Sequence, residues 1–264
     1  MDNRPIGVFD SGIGGLTVVD AITNNLSNED IIYVGDTARV PYGNKSKNRI
    51  RQYASEITKW LIKQDCKMIV VACNTVSALA LDYLNSTFSI PIIGVIGPGV
   101  EKAVEISQNN KIAVLGTSAT IRSDAYGKRL KAIKPEVIVT SQACPLFVPL
   151  AEEGWIDGEI PFQIATYYFS SIKKMDVDTV ILGCTHYPLL EKTIHSCLGD
   201  HIRLVDSGEA VVKNVISALE KMKGLSSINR GQIRCYVTDD PSLFNSIASR
   251  FCTKKPEQAV QIDL

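Results

Sequence analysis

Short apolar runs alternate with amphipathic stretches along the whole chain. Runs at 6–9, 31–35, 68–72, 91–95, 112–116, 137–140, 179–183, 203–205 and 233–238 read as strands. Several are apolar at consecutive positions, the pattern of parallel strands covered on both faces. Between them, stretches near 16–26, 47–63, 75–85, 99–107, 120–133, 158–173, 189–198, 208–222 and 241–251 read as helices. Strand–helix alternation of this kind predicts an α/β fold, with parallel sheets wound by helices on both faces. A cluster of Gly94, Gly97, Pro98 and Gly99 punctuates the first half, and the chain turns again at Asp206, Ser207 and Gly208. The expected organisation is two α/β lobes, one of them discontinuous: 1–97 with 208–264, and 98–207.

Two of the strands end alike. The run at 68–72 leads into Cys73, Asn74 and Thr75, and the run at 179–183 leads into Cys184, Thr185 and His186. Residues just past a parallel strand lie at its carboxyl end, where open α/β sheets place ligands. A second, shorter echo joins Asp10-Ser11-Gly12 to Asp206-Ser207-Gly208. Both echoes predict two similar lobes related by pseudo-two-fold symmetry, with an active site in the cleft between them and one sulfur on each side of a substrate.

Composition narrows the class without choosing the chemistry. Lys plus Arg and Asp plus Glu both number 28 in 264 residues, so the formal net charge is zero. That gives no electrostatic case for nucleic acid or an anionic membrane. Lys45, Lys47, Arg49 and Arg51 form a local basic patch that a solvated helix face explains. No apolar stretch approaches the roughly 20 residues that span a bilayer. The start of the chain leads into a short strand instead of a signal-peptide core, so a cytoplasmic protein is expected. Seven cysteines without a CxxC spacing argue for reduced thiols over a disulfide framework.

The candidate chemistry gathers at strand ends. Gly12, Gly14 and Gly15 open the first helix, but Thr17 stands where a dinucleotide fingerprint needs its last glycine. The loop still offers backbone N–H groups to a carboxylate or phosphate. Asp10 and Ser11 favour function over a plain turn at that point. Pro41-Tyr42-Gly43 is a turn by composition, and Thr117 with Thr120 reads as a helix cap or an anion contact. A buried cysteine is usually a small hydrophobe. Polar neighbours and helix N-termini set Cys73 and Cys184 apart and are expected to lower their thiol pKa below the usual value of about 8.5. His186 is placed as a proton partner for Cys184, whereas His195 and His201 read as surface residues. Cys184 and His186 alone do not make a tetrahedral metal site.

Taken together, the segments 9–17 (FDSGIGGLT), 35–43 (GDTARVPYG), 71–75 (VACNT), 147–152 (FVPLAE), 182–190 (LGCTHYPLL) and 206–208 (DSG) closely resemble bacterial glutamate racemases. These belong to the cofactor-independent aspartate/glutamate racemases. The resemblance runs nearly end to end. It implies interconversion of L- and D-glutamate, with D-glutamate feeding peptidoglycan synthesis, no cofactor, and a homodimer as an open option. The catalytic cysteines fall on Cys73 and Cys184, taking the proton from D- and L-glutamate respectively. The assisting groups fall on Asp10 and His186, with Glu152 a lesser candidate. Glutamate contacts fall on Asp10, Ser11, Tyr42, Gly43, Asn74, Thr75, Thr185 and His186, extended to Thr117 and Thr120. Two departures stand out. Gly97 occupies a position where many relatives carry Glu, and the N-terminal extension of relatives activated by a cell-wall precursor is not seen, so such activation is not expected. Rival readings are an aspartate racemase, or a non-catalytic amino-acid-binding or regulatory protein with a protein partner. A mere binder has no need of two mirrored thiols.

Overall fold

Each predicted strand forms, and among the described residues every pairing between strands is parallel. The computed structural model describes residues 1–227 and 229–264. Its strands are β1 (Ile6–Asp10), β2 (Ile31–Gly35), β3 (Met68–Val71), β4 (Ile92–Gly94), β5 (Lys111–Gly116), β6 (Ile138–Ala143), β7 (Thr179–Gly183), β8 (Arg203–Asp206), β9 (Ile233–Val237) and β10 (Val260–Gln261). Two sheets result, ordered β10-β9-β2-β1-β3-β4 and β6-β5-β7-β8. The run β2-β1-β3-β4 has the same order as the whole second sheet. That shared order is the structural content of the two-lobe expectation.

Continuous apolar runs arise because both faces of each sheet are covered. In the first sheet Val8, Tyr33 and Val70 enter one core, while Phe9, Val34 and Val71 enter the core on the other face. The second sheet divides Ala113, Leu115 and Leu182 from Val114 and Ile181 in the same way. Each large apolar side chain contributes about 1.5–3 kcal/mol when fully buried.

The covering helices are α1 (Leu16–Asn25), α2 (Lys47–Lys63), α3 (Asn74–Leu79), α4 (Leu81–Thr87), α5 (Ile96–Ile106), α6 (Ser118–Ser123), α7 (Ala125–Ile133), α8 (Phe147–Glu153), α9 (Glu159–Phe169), α10 (Glu191–Leu198), α11 (Ser207–Lys221) and α12 (Pro241–Ile247). Two predicted helices are in fact pairs. The first breaks at Ala80 and the second at Asp124, which takes a left-handed backbone (φ 54°). The Gly/Pro cluster is not a loop. Gly97, Pro98 and Gly99 sit in the first turn of α5, where a proline's missing N–H has no intrahelical partner to lose. Gly97 is buried beneath Arg129, whose guanidinium would lie 2.8 Å from a Cβ there. Arg129 pairs instead with Glu101, at 3.6 Å.

The shorter echo does not mark equivalent places in the two lobes. Asp10 ends β1, whereas Asp206 ends β8, the counterpart of β4. Both carboxylates accept from the backbone N–H two residues on, Gly12 at 3.0 Å and Gly208 at 2.7 Å. The likeness is turn chemistry repeated at non-equivalent strands.

Candidate active site

Cys73 follows β3 and Cys184 follows β7, the equivalent strands of the two sheets, and both line one cavity of about 330 Å³. Asp10, Ser11, Tyr42, Gly43, Asn74 and Thr75 reach it from the first sheet's loops. Thr117, Glu152, Thr185 and His186 reach it from the second. Of the catalytic and glutamate-contact residues that the resemblance implies, Thr120 alone does not line the cavity. It is buried behind the wall, its hydroxyl 3.2 Å from that of Thr75 and 3.0 Å from that of Thr117. Val40, Pro41, Pro145, Val148 and Pro149 are further lining residues that escaped the sequence reading as site residues, because they are apolar. Among the described residues, neither Arg nor Lys lines the cavity.

On the second lobe, a chain of contacts backs Cys184. Its sulfur lies 3.8 Å from His186 Nδ1, and His186 Nε2 lies 2.8 Å from a carboxylate oxygen of Glu152. Burial works against a charged imidazole. The contacts with Cys184 and Glu152 overcome it, and the His186 pKa is raised to about 10. The ring meets Phe251 edge-on at 5.5 Å. Glu152 belongs to α8, a helix that periodicity did not predict, and Arg250 donates to its carbonyl.

Cys73 has a different environment. Its sulfur lies 3.8 Å from the Ser11 hydroxyl. Burial pushes its thiol up to about 12, and the Asp10 carboxylate adds to the rise. The Val76 N–H and Ser11 offset only part of it. The expectation of a depressed thiol therefore fails at Cys73: desolvation outweighs a short helix N-terminus. Asp10 is itself buried, which raises its carboxyl pKa, while His186 and the N–H groups of Gly12, Gly15 and Ser11 pull the other way.

The remaining polar groups divide by hydrogen-bonding sense. Thr75 and Thr117 hydroxyls, 2.9 Å apart, form a donor cluster across the two lobes. Two acceptors, Asp10 Oδ1 and Asn74 Oδ1, are buried without a partner among the described residues. Tyr42 is held by Asp36, a fully buried carboxylate that sequence reading passed over. Asp36 also takes bonds from Arg39 at 2.6 Å and Thr238 at 2.9 Å. The lobes touch closely at Gly14, where a Cβ would lie 2.4 Å from both His186 Nδ1 and Thr185 Oγ1.

Comparison with known proteins points to one family. The Asp/Glu/hydantoin racemase family matches residues 6–215. The glutamate racemase of Geobacter metallireducens is 46% identical over 99% of this chain and 97% of its own length. Among solved structures, glutamate racemase isoform RacE1 of Bacillus anthracis superposes with a TM-score of 0.96 at 36% identity, covering 100% of this chain and 99% of that one. The Francisella tularensis glutamate racemase, solved in complex with D-glutamate, gives a TM-score of 0.93 at 40% identity, covering 100% and 98%. By sequence and by fold, the chain belongs to the glutamate racemase family within the Asp/Glu/hydantoin racemases.

Proposed function

We propose that this protein interconverts L- and D-glutamate by a two-base mechanism, in which Cys73 and Cys184 serve opposite faces of Cα. The observation that carries the reading is the delivery of two sulfurs to one cavity from equivalent strands of two sheets. Donors and acceptors in the cavity fit an amino acid with two carboxylates. The orphan oxygens of Asp10 and Asn74 ask for a donor, which an α-ammonium supplies. Hydroxyls of Ser11, Thr75 and Thr117 supply donors for carboxylates, and among the described residues no Arg or Lys side chain lines the cavity.

The two thiols have different neighbours. His186, held protonated beside Glu152, stands against the Cys184 sulfur and stabilises the negative charge it carries when it acts as base. Burial keeps Cys73 protonated. Cys184 then removes the α-proton of L-glutamate while Cys73 delivers its own proton to the other face. Hydroxyl and backbone donors stabilise the negative charge that develops on the α-carboxylate. In the reverse direction Cys73 must be the base. A substrate ammonium docked on Asp10 offsets the charge that raises the Cys73 thiol, so substrate binding itself eases the loss of that proton.

The same reading sets the lobes at 1–97 with 208–264 and at 98–207, a division that sheet membership supports for most of the chain. It also places the reaction in the cytoplasm, supplying D-glutamate for peptidoglycan. Among the described residues no helix is long and apolar enough to cross a membrane. Chiral chromatography after incubation with L-glutamate and, separately, L-aspartate tests the substrate. D-glutamate should form and D-aspartate should not. Faster racemisation of aspartate would favour the rival enzyme, and binding of glutamate without racemisation would favour a non-catalytic protein.

A further inference from the structure

Behind the cavity wall, one buried tyrosine connects the two strand mouths that carry the sulfurs. Tyr126, on α7, is 2% exposed. Its hydroxyl lies 3.4 Å from the Asn74 amide nitrogen and 2.9 Å from the Ser207 hydroxyl. Ser207 in turn donates to the carbonyl of Leu182 at 3.2 Å. Since that carbonyl can only accept, the chain has one direction: Ser207 to Leu182, Tyr126 to Ser207, Asn74 to Tyr126. Two glycines make room for it. A Cβ on Gly183, the residue before Cys184, would lie 3.1 Å from the Tyr126 ring, and one on Gly99 would lie 2.9 Å from the Ser207 hydroxyl. The consequence falls on Asn74. With its amide nitrogen committed to Tyr126, its Oδ1 is left as an acceptor without a partner among the described residues, on a side chain that lines the cavity.

We propose that Tyr126 is a positioning residue: through the Ser207–Leu182 relay it fixes the Asn74 amide so that Oδ1 receives the substrate's α-ammonium. The inference rests on the amino-acid reading above and adds the device that gives the site its preference for an amine. Without the tyrosine hydroxyl the amide is free to turn, and an N–H would then oppose the ammonium. The carboxylate donors, Thr75 and Thr117 among them, lie outside the relay.

Tyr126→Phe tests this directly. KM for both glutamate enantiomers should rise about tenfold, the effect of losing one hydrogen bond to a charged group, with kcat changed much less. Glutarate, which keeps both carboxylates and lacks the amine, should inhibit the variant and the wild-type protein equally. A merely structural lesion would weaken both ligands alike. Adding Tyr126→Phe to Asn74→Ala should cost nothing further, since the tyrosine acts through that amide. Ser207→Ala, which removes the acceptor of the Tyr126 hydroxyl, should raise KM for glutamate and spare glutarate, and it decides the matter if Tyr126→Phe fails to fold. Equal weakening of glutarate, or an unchanged glutamate KM beside an active wild-type protein, would overturn this inference alone. Absence of glutamate racemisation by the wild-type protein would remove the functional reading and this inference with it.

Discussion

Cys184 has a histidine and a carboxylate behind it, and Cys73 has a hydroxyl and a buried carboxylate. Unequal partners predict unequal losses. Cys73→Ala should abolish racemisation yet leave slow exchange of the α-proton of L-glutamate with solvent, while D-glutamate stays inert; Cys184→Ala should give the mirror result, both read by proton NMR in heavy water. Full racemisation by either variant would refute the paired-thiol account. Glu152→Gln removes one of the two contacts that hold His186 up at about 10. The imidazolium is lost as pH rises through its pKa, so a lower pKa brings that loss to lower pH. The alkaline limb of kcat/KM for L-glutamate should therefore move down in pH, and an unmoved or raised limb would contradict the role given to Glu152. At this scale the sequence shows the cysteines and His186 plainly, because a polar triplet after an apolar run is local information. Asp36 is not legible in that way. Its partner Thr238 lies 202 positions away, and only the fold brings them together.

Elements decide how these residues meet. Strand positions follow directly from periodicity, whereas α8 does not. Pro145 and Pro149 flank and enter it and discourage a helical reading. Pro149 is its third residue, where the N–H would have no intrahelical acceptor, so the proline is tolerated. Missing that helix leaves Glu152 as a motif residue without a place. β10 is only two residues long and gives no pattern to read. The glycines of the first loop are legible as a turn, but their purpose is not a nucleotide fingerprint. Gly14 lets the first lobe's loop press against Thr185 and His186 of the second. Gly14→Ala should overpack that contact, costing about 1–3 kcal/mol. By displacing His186 it should lower kcat/KM by about 10²-fold with the circular dichroism spectrum unchanged. Near wild-type activity would show that the lobes need not meet so closely.

Across the whole molecule, the candidate active site and a buried ion pair lie at opposite ends of the strands. The cavity lies at the carboxyl ends. Just before β3, Lys67 is buried and donates to Glu29 at 2.5 Å, to the Asp2 carbonyl at 2.7 Å and to the Gly224 carbonyl at 2.8 Å. Glu29 also accepts from the Ser226 N–H at 2.8 Å. This clasp ties the start of the chain to the segment after α11. Lys67→Met leaves Glu29 buried without its cation and should lower stability by about 3–5 kcal/mol in thermal or denaturant unfolding. Its kcat below the transition should match the wild-type value, and an equal fall in kcat would mean that the two ends are coupled. The alternation of strands and helices foretells parallel sheets. Their shared strand order does not follow from the alternation, since pairing partners are set by long-range packing. The central claim is that separate groups take and give the α-proton. L-glutamate is incubated with the protein in heavy water, the reaction is stopped early, and both enantiomers are separated and analysed for deuterium at Cα. D-glutamate carrying deuterium, beside recovered L-glutamate that still carries protium, is the result expected of two bases. D-glutamate retaining the original proton, or deuterium entering recovered L-glutamate as fast as product forms, would contradict it.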